Sequence, residues 1–466
     1  MDEDDSASID IEKLNERLDW NENDLLLIDG HLSHLLPVDA VILIRCHPDT
    51  LRNRLISRNY HENKINETEG KFIEVTRDAN IYDSPLGYGL AVTATDINND
   101  GWLDLLIGNE TTNGSVYPSE LYHNNGDGTF TEKSQSIGLN IIGFIKAIVW
   151  GDIDNDGDQD IFVSRLGQPN SLYQNNGKSE NWSFTDIGRK AGVLEPIDSF
   201  PAWFFDYNND GWEDIWVSGY DNSSGHVAMD YLGIPNKGET PRLYKNNKNG
   251  TFTNVTIETN MNHPLLTMGS NYGDINNDGF LDIYLGTGDP DYRSIQPNRM
   301  FVNNNGVSFD DVTFHGRFGH LQKGHGVSFA DIDGDGDLDV FVAGRSIPGQ
   351  FPRPASSWLL RCGLNGLELD KKQSAKFSNI GMVTAAVFTQ LDADHFPELV
   401  LSTEWGAIKI FNNSGGEFVD STKDWGLDQK LGIWQTLAIG DFDNDGKFDI
   451  MAGNWGLNSH LKHGKD

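Results

Sequence analysis

Long apolar runs are missing from this sequence: none approaches the roughly 18 residues that a helix needs to span a bilayer, so no membrane insertion is expected. Cysteine is nearly missing too. Cys46 and Cys362 are the only two and lie in different segments, which argues against a disulfide framework and against a Cys/His zinc site. Basic residues are scarce: 35 Lys and Arg stand against 70 Asp and Glu, and a formal net charge of −35 repels nucleic acid and anionic lipid. The opening MDEDDSASID lacks the basic and apolar stretches of a signal peptide, so no export signal is visible. Two catalytic signatures are also missing, the nucleophile elbow and the phosphate loop G-x-x-x-x-G-K-[ST].

The acidic excess is not scattered. Much of it is packed into a nine-residue phrase that recurs seven times, starting at Asp96, Asp152, Asp206, Asp274, Asp331, Gln390 and Asp441. The copies read DINNDGWLD, DIDNDGDQD, DYNNDGWED, DINNDGFLD, DIDGDGDLD, QLDADHFPE and DFDNDGKFD. Successive starts lie 51 to 68 residues apart, a period suited to a four-stranded propeller blade.

Acids or asparagines at positions one, three, five and nine point hard oxygens into one concavity, and glycine at six allows the chain to reverse around an ion. Calcium accepts six to eight such oxygens, whereas magnesium takes fewer protein ligands and retains its waters. About six calcium sites are expected. Their ligands are Asp96, Asn98, Asp100 and Asp104 in loop one, and Asp152, Asp154, Asp156 and Asp160 in loop two. Loop three offers Asp206, Asn208, Asp210 and Asp214, and loop four Asp274, Asn276, Asp278 and Asp282. Loop five offers Asp331, Asp333, Asp335 and Asp339, and loop seven Asp441, Asp443, Asp445 and Asp449. Loop six has Gln390, His395 and Glu398 in place of Asp, Gly and Asp, and is expected to bind no metal. An EF-hand is excluded because position twelve is apolar in every copy, from Ile107 to Ala452, where a bidentate Glu would be needed.

Runs such as GLAVTAT and PAWFF precede the loops, and IFVSR and IWVSG follow them, short and β-branched or aromatic as strands are. Phrases such as ELYHNNGDGTFTEKS then add a hairpin. Strand, acidic loop, strand and hairpin make one blade, and a blade that cannot bury both faces alone must stack with its neighbours around an axis. The expected fold is all-β, a seven-bladed β-propeller over residues 71–466. KFIEVTRDA, residues 71 to 79, is similar to the outer-strand phrase GTFTEKSQS yet precedes the first acidic loop, so it is expected to complete the last blade beside residues 434 to 453; the tail after Gly456 is too short for a full extra hairpin. Residues 1–70 read instead as α/β: a helical IEKLNERL, strands DLLLIDG and AVILIRC, then a charged helical stretch.

The phrase D-x-[DN]-x-D-G-x-x-D between strands, at blade spacing, resembles the FG-GAP/VCBS repeat of integrin α-subunit heads over about residues 71 to 458. That resemblance implies structural calcium, a ring presenting loops to a protein or glycan ligand in adhesion, no catalysis, and an extracellular or cell-surface address. The stretch LLLIDGHLSHLLPVDAVILIRCHPDTLRNRLISRNYHENKINE resembles the carboxy-terminal half of archaeal-type small adenylate kinases. It implies a phosphate-side Asp29 and His31 and lid residues Arg54 and Arg58, suited to phosphate by paired guanidinium donors. Without a phosphate loop that fragment is expected to be inactive; it favours a cytoplasmic address, so the two halves disagree. The alternatives are an ATP-binding nucleoside monophosphate kinase-like protein and a propeller supporting a polysaccharide-active enzyme. His320 and His325 flank the fifth inner strand and read as packing residues, as do most tryptophans, among them Trp102, Trp203, Trp405 and Trp434.

Overall fold

The second copy of the repeat shows how each blade forms. Ile145–Gly151 pairs antiparallel with Asp160–Arg165, which pairs with Ser171–Asn175, which pairs with Phe184–Asp186. Gly151 stands opposite Asp160, so the acidic loop is the turn that joins the first two strands. DIFVSR, the second strand, is buried nearly throughout because neighbouring sheets cover both its faces; the outer FTD keeps only Phe184 inside. In this computed structural model the described residues are 40–44, 71–81, 89–111, 116–177, 182–288, 296–313, 324–363, 366–392 and 394–455. The chain divides into two compact units, Met1–Ser33 and His34–Asp466, and the first lies wholly outside the described residues.

Among the described residues the second unit is an all-β propeller with few and short helices, such as Ser224–Tyr231 and Lys371–Lys376. Seven separate sheets were expected; the described residues form six, five of four strands and one of eight. The difference has a local cause. Glu398–Ala407 and Leu431–Gly440 are each ten residues long, and their overlapping ends pair from Glu404↔Ile433 to Ala407↔Leu431, which stitches two strand quartets into one sheet.

The first strands pack side by side in chain order, from Gly89–Thr95 and Ile145–Gly151 through Ser199–Phe205, Thr267–Gly273, Gly324–Ala330 and Met382–Thr389 to Leu431–Gly440. Leu431–Gly440 packs in turn against Gly89–Thr95, so the ring closes. Apolar cores lie between neighbours: Leu106 and Leu121 of the first sheet bury against Ile148 and Ile161 of the second.

Closure uses the amino-terminal region. Ala40–Ile44 runs antiparallel to Asp449–Asn454, in register from Ala40↔Gly453 to Leu43↔Ile450, and Ile73–Glu74 pairs along its other edge. The 71–79 phrase thus reaches the closing sheet, but AVILI, read as part of a kinase-like α/β fragment, lies between it and the rest. A boundary near residue 70 falls between two neighbouring strands of one sheet. Segment 71–81 also ties neighbours together: Phe72 N–H donates to Trp425 O at 3.1 Å, and Phe130 N–H donates to Ala79 O at 2.8 Å. Among the described residues no helix is long and apolar enough to cross a membrane.

Candidate metal-binding loops

In six loops the first aspartate wraps the turn. Its two carboxylate oxygens accept the N–H groups of positions five and six: Asp96 from Asp100 (3.1 Å) and Gly101 (2.7 Å), and Asp152 from Asp156 (3.1 Å) and Gly157 (2.9 Å). Asp206, Asp274, Asp331 and Asp441 do the same. The glycine at position six is required by conformation: Gly157 has φ of 88°, yet a Cβ there would meet nothing within 4 Å. Asparagine at position four also sits at positive φ, near 55° in Asn99, Asn155, Asn209, Asn277 and Asn444, where its short amide tolerates the left-handed region.

The acid at position nine begins the second strand and is buried. Asp160 Oδ2 accepts Ile153 N–H at 3.0 Å and Oδ1 accepts Asn175 N–H at 2.7 Å. Desolvation raises these carboxyls, to about 6 for Asp104 and Asp282, about 7 for Asp214 and Asp339, and about 8 for Asp160. Burial, together with the neighbouring Asp156 and Asp152, also raises Asp154.

Carboxylates converge to within 4.8 Å in loop two (Asp152, Asp154, Asp160), loop five (Asp331, Asp333, Asp335) and loop seven (Asp441, Asp443, Asp449). Asp392, Asp394 and Glu398 converge likewise in loop six. There Gln390 cannot wrap the turn; its amide donates to Asp394 O instead. In loops one and four the position-three amide turns to the position-five acid, Asn98 Nδ2 to Asp100 Oδ2 at 2.9 Å and Asn276 Nδ2 to Asp278 Oδ2 at 3.0 Å. In loop three Asn208 Oδ1 accepts Asp210 N–H. The donor set fits a hard cation. Asp154 Oδ1 and Asp214 Oδ2 are buried and accept no hydrogen bond, which is costly unless a cation completes them.

The repeat carries a second polar device that the acidic pattern does not announce. In the third strand an asparagine follows Leu-Tyr-x or its equivalent, and its Nδ2 donates to the position-two carbonyl of the preceding loop. Asn124 reaches Phe442 O (3.0 Å), Asn175 Ile97 O (3.1 Å), Asn246 Ile153 O (2.8 Å), Asn303 Tyr207 O (2.8 Å) and Asn413 Ile332 O (2.8 Å). The recurring first Asn of the NN turns was its signal; it reads as turn chemistry until the next blade is in place.

At the opposite end of the same strands a cavity of about 750 Å³ occupies the ring centre. Lys146 Nζ lies 3.8 Å from the Phe144 ring centre and 5.1 Å from that of Phe200, ion-paired with Glu110; burial lowers its pKa. Phe200 stacks on Tyr220 at 5.1 Å, and Arg345 pairs with Glu404. The buried amide nitrogen of Gln435 and the hydroxyl of Ser270 line the cavity without hydrogen-bond partners. Trp216 and Trp434 are core residues, but Trp405 is 46% exposed beside Phe351. Asp29, His31, Arg54, Arg58 and His320 lie outside the described residues, and His325 is in strand Gly324–Ala330.

A family model described as FG-GAP-like repeat matches residues 96–163, 152–217, 225–285, 274–342 and 390–452. A second, described as AAA domain, matches residues 1–74. The putative adenylate kinase of Archaeoglobus fulgidus is 42% identical over 74 residues, 16% of this chain and 39% of that protein. That of Methanococcus maripaludis is 39% identical over 72 residues, 15% of this chain and 40% of the relative. Cartilage acidic protein 1 of Mus musculus is 27% identical over 155 residues, 31% of this chain and 23% of the mouse protein. The chain spans about two fifths or less of the length of these relatives.

Proposed function

We infer function from the premise that this chain belongs to the FG-GAP-like repeat family, and propose a calcium-stabilised, seven-bladed propeller that binds a protein or glycan without catalysis. The eight-stranded sheet is read as two blades sharing a seam, Met382–Asp420 and Leu431–Asn454 with its two amino-terminal strands. The observation that carries calcium is the set of buried acid oxygens with no hydrogen-bond partner, in loops that otherwise satisfy their backbone. Calcium would be held by positions one, three, five and nine, neutralising acids that burial makes reluctant to ionise. With dissociation constants of about 10⁻⁴ to 10⁻³ M, as in extracellular modules, each site contributes about 0.4 to 1.4 kcal/mol at roughly 1 mM calcium. Such affinities suit an extracellular address.

The central cavity supplies a place for a ligand. Aromatic walls, charges already paired and an unpartnered amide suit a sugar better than an ion. Saturation-transfer NMR with methyl hexosides and a melting series, each run in calcium and in chelator, test both halves. Chelator should lower Tm, calcium should restore it better than magnesium, and glycoside transfer should vanish in Gln435→Ala. A melt indifferent to chelator would overturn the calcium reading, and transfer that survives Gln435→Ala would remove the cavity as the site. The other reading, an ATP-binding kinase-like role, rests on the amino-terminal likeness; conversion of ATP and AMP to ADP by the purified chain would favour it.

A further inference from the structure

In blades one to three the third-strand residue just before the inter-blade asparagine reaches the acidic loop of its own blade, and its identity differs from blade to blade. His123 Nδ1 lies 2.9 Å from Asp104 Oδ1, Gln174 Nε2 donates to Asp154 Oδ2 at 2.7 Å, and Lys245 Nζ lies 3.7 Å from Asp210 Oδ2. Blade four has the apolar Val302 at this register. Blade five has Arg361. Its Nη1 bonds Asp333 Oδ2 and lies 3.7 Å from Asp339 Oδ2, so the guanidinium sits between the position-three and position-nine acids. It is anchored there from two further sides, by Nε to Asp370 Oδ2 at 3.3 Å and by Nη2 to Gly416 O at 2.7 Å.

We propose that Arg361 is a built-in cation for loop five, which holds that loop's shape without metal and weakens its calcium binding relative to loop two. The inference rests on the calcium reading for the other loops. A guanidinium fixed among carboxylates satisfies the same charge that a divalent ion would satisfy, and at this separation the two cations repel. Calcium entry at loop five therefore requires the arginine to leave four partners. Loop two, with a neutral Gln174 at the same register, carries no such competitor.

Calorimetric calcium titration of the full chain, with melting in chelator as a second readout, tests this on wild type, Arg361→Gln and Arg361→Lys. Arg361→Gln should gain one ion per chain, or a site at least about tenfold tighter, a change read as about 1.4 kcal/mol. In chelator it should melt below wild type, because loop five has lost the guanidinium that pairs with Asp333, and calcium should close that gap. Arg361→Lys keeps the charge and should keep the wild-type stoichiometry. Unchanged stoichiometry and affinity in Arg361→Gln, with calcium still taken up elsewhere, overturns the proposal alone. Wild-type protein that takes up no calcium overturns the calcium reading and this one with it, and the chelator melts then show whether Arg361 stabilises the loop in its own right.

Discussion

Loops two and seven are built alike. DIDNDGDQD and DFDNDGKFD both wrap on their first aspartate, with Asp156 and Gly157 donating to Asp152 at 3.1 and 2.9 Å, and Asp445 and Gly446 donating to Asp441 at 3.0 and 2.8 Å. The blades behind them are not alike. Behind loop two the third strand, Ser171–Asn175, follows directly in sequence; behind loop seven it is Ala40–Ile44, which precedes every acidic loop. A loop is therefore specified by nine consecutive residues, whereas the sheet that carries it can be completed from anywhere in the chain.

The largest test of that difference is truncation. Removing residues 1–33, the first compact unit, should leave a cooperative melt close to that of the full chain. Removing 1–68 deletes Ala40–Ile44 and exposes the edge of Asp449–Asn454, whose Ile450, Met451 and Ala452 are buried. Four register pairs, at about 0.5–1.5 kcal/mol for each hydrogen bond lost, cost on the order of 5 kcal/mol before any loss of packing. Circular dichroism melts of the two truncations decide it. Equal melting would show that Ala40–Ile44 does not close the ring.

The same contrast explains what could be read in advance. The acidic positions, the turn glycine and the strands around each loop were legible because each depends on a few neighbouring residues and a fixed chirality. The role of AVILI was not, because a buried parallel strand and a buried propeller strand share the same short apolar run. Its partners, Ile450 to Gly453, lie at the far end of the sequence. The fusion of two quartets into one sheet is not legible in the sequence either, since it depends on the length of Glu398–Ala407 and Leu431–Gly440 rather than on their pattern. Asn175 was visible as a turn residue, but its bond to Ile97 O crosses to another blade.

A pH series sharpens the comparison of loops by removing the metal. Burial raises Asp160 to about 8 and Asp104 and Asp282 to about 6, above the unfolded value near 4. A raised acid contributes stability that is complete below pH 4 and is lost as pH climbs through the folded value, here between about 6 and 8. In chelator, Tm should therefore fall between pH 5 and pH 8.5, by on the order of 5 °C, and calcium should flatten the curve by favouring the ionised form. Asp160→Asn should make the chelator curve shallower at its upper end, because the second loop then has no position-nine acid to ionise while Asp104, Asp214, Asp282 and Asp339 still titrate. A chelator curve that rises over this range would contradict the assignment of buried, destabilised carboxyls.

The smallest effect concerns blade five, where Cys362 stands at the place of the inter-blade asparagine. Cys362 N–H still donates to Asp339 Oδ1 at 2.8 Å, as Asn175 N–H does to Asp160, so the backbone of blade five is already placed for an asparagine. Only the side chain differs: Cys362 Sγ faces Ile275 O at 3.5 Å, where the five asparagines make bonds of 2.8 to 3.1 Å. A thiol is a weak donor, and an amide in its place would complete a partly buried carbonyl with a normal bond. Cys362→Asn should therefore stabilise the ring by about 0.5–1.5 kcal/mol, and Asn175→Cys should cost about as much or more, because it also leaves Gln159 O without its donor. Chemical denaturation of both variants in calcium measures the pair. If Cys362→Asn is neutral while Asn175→Cys is costly, the asparagine acts within its own blade. If both are neutral, the bond between blades carries no stability and apolar packing alone sets their spacing.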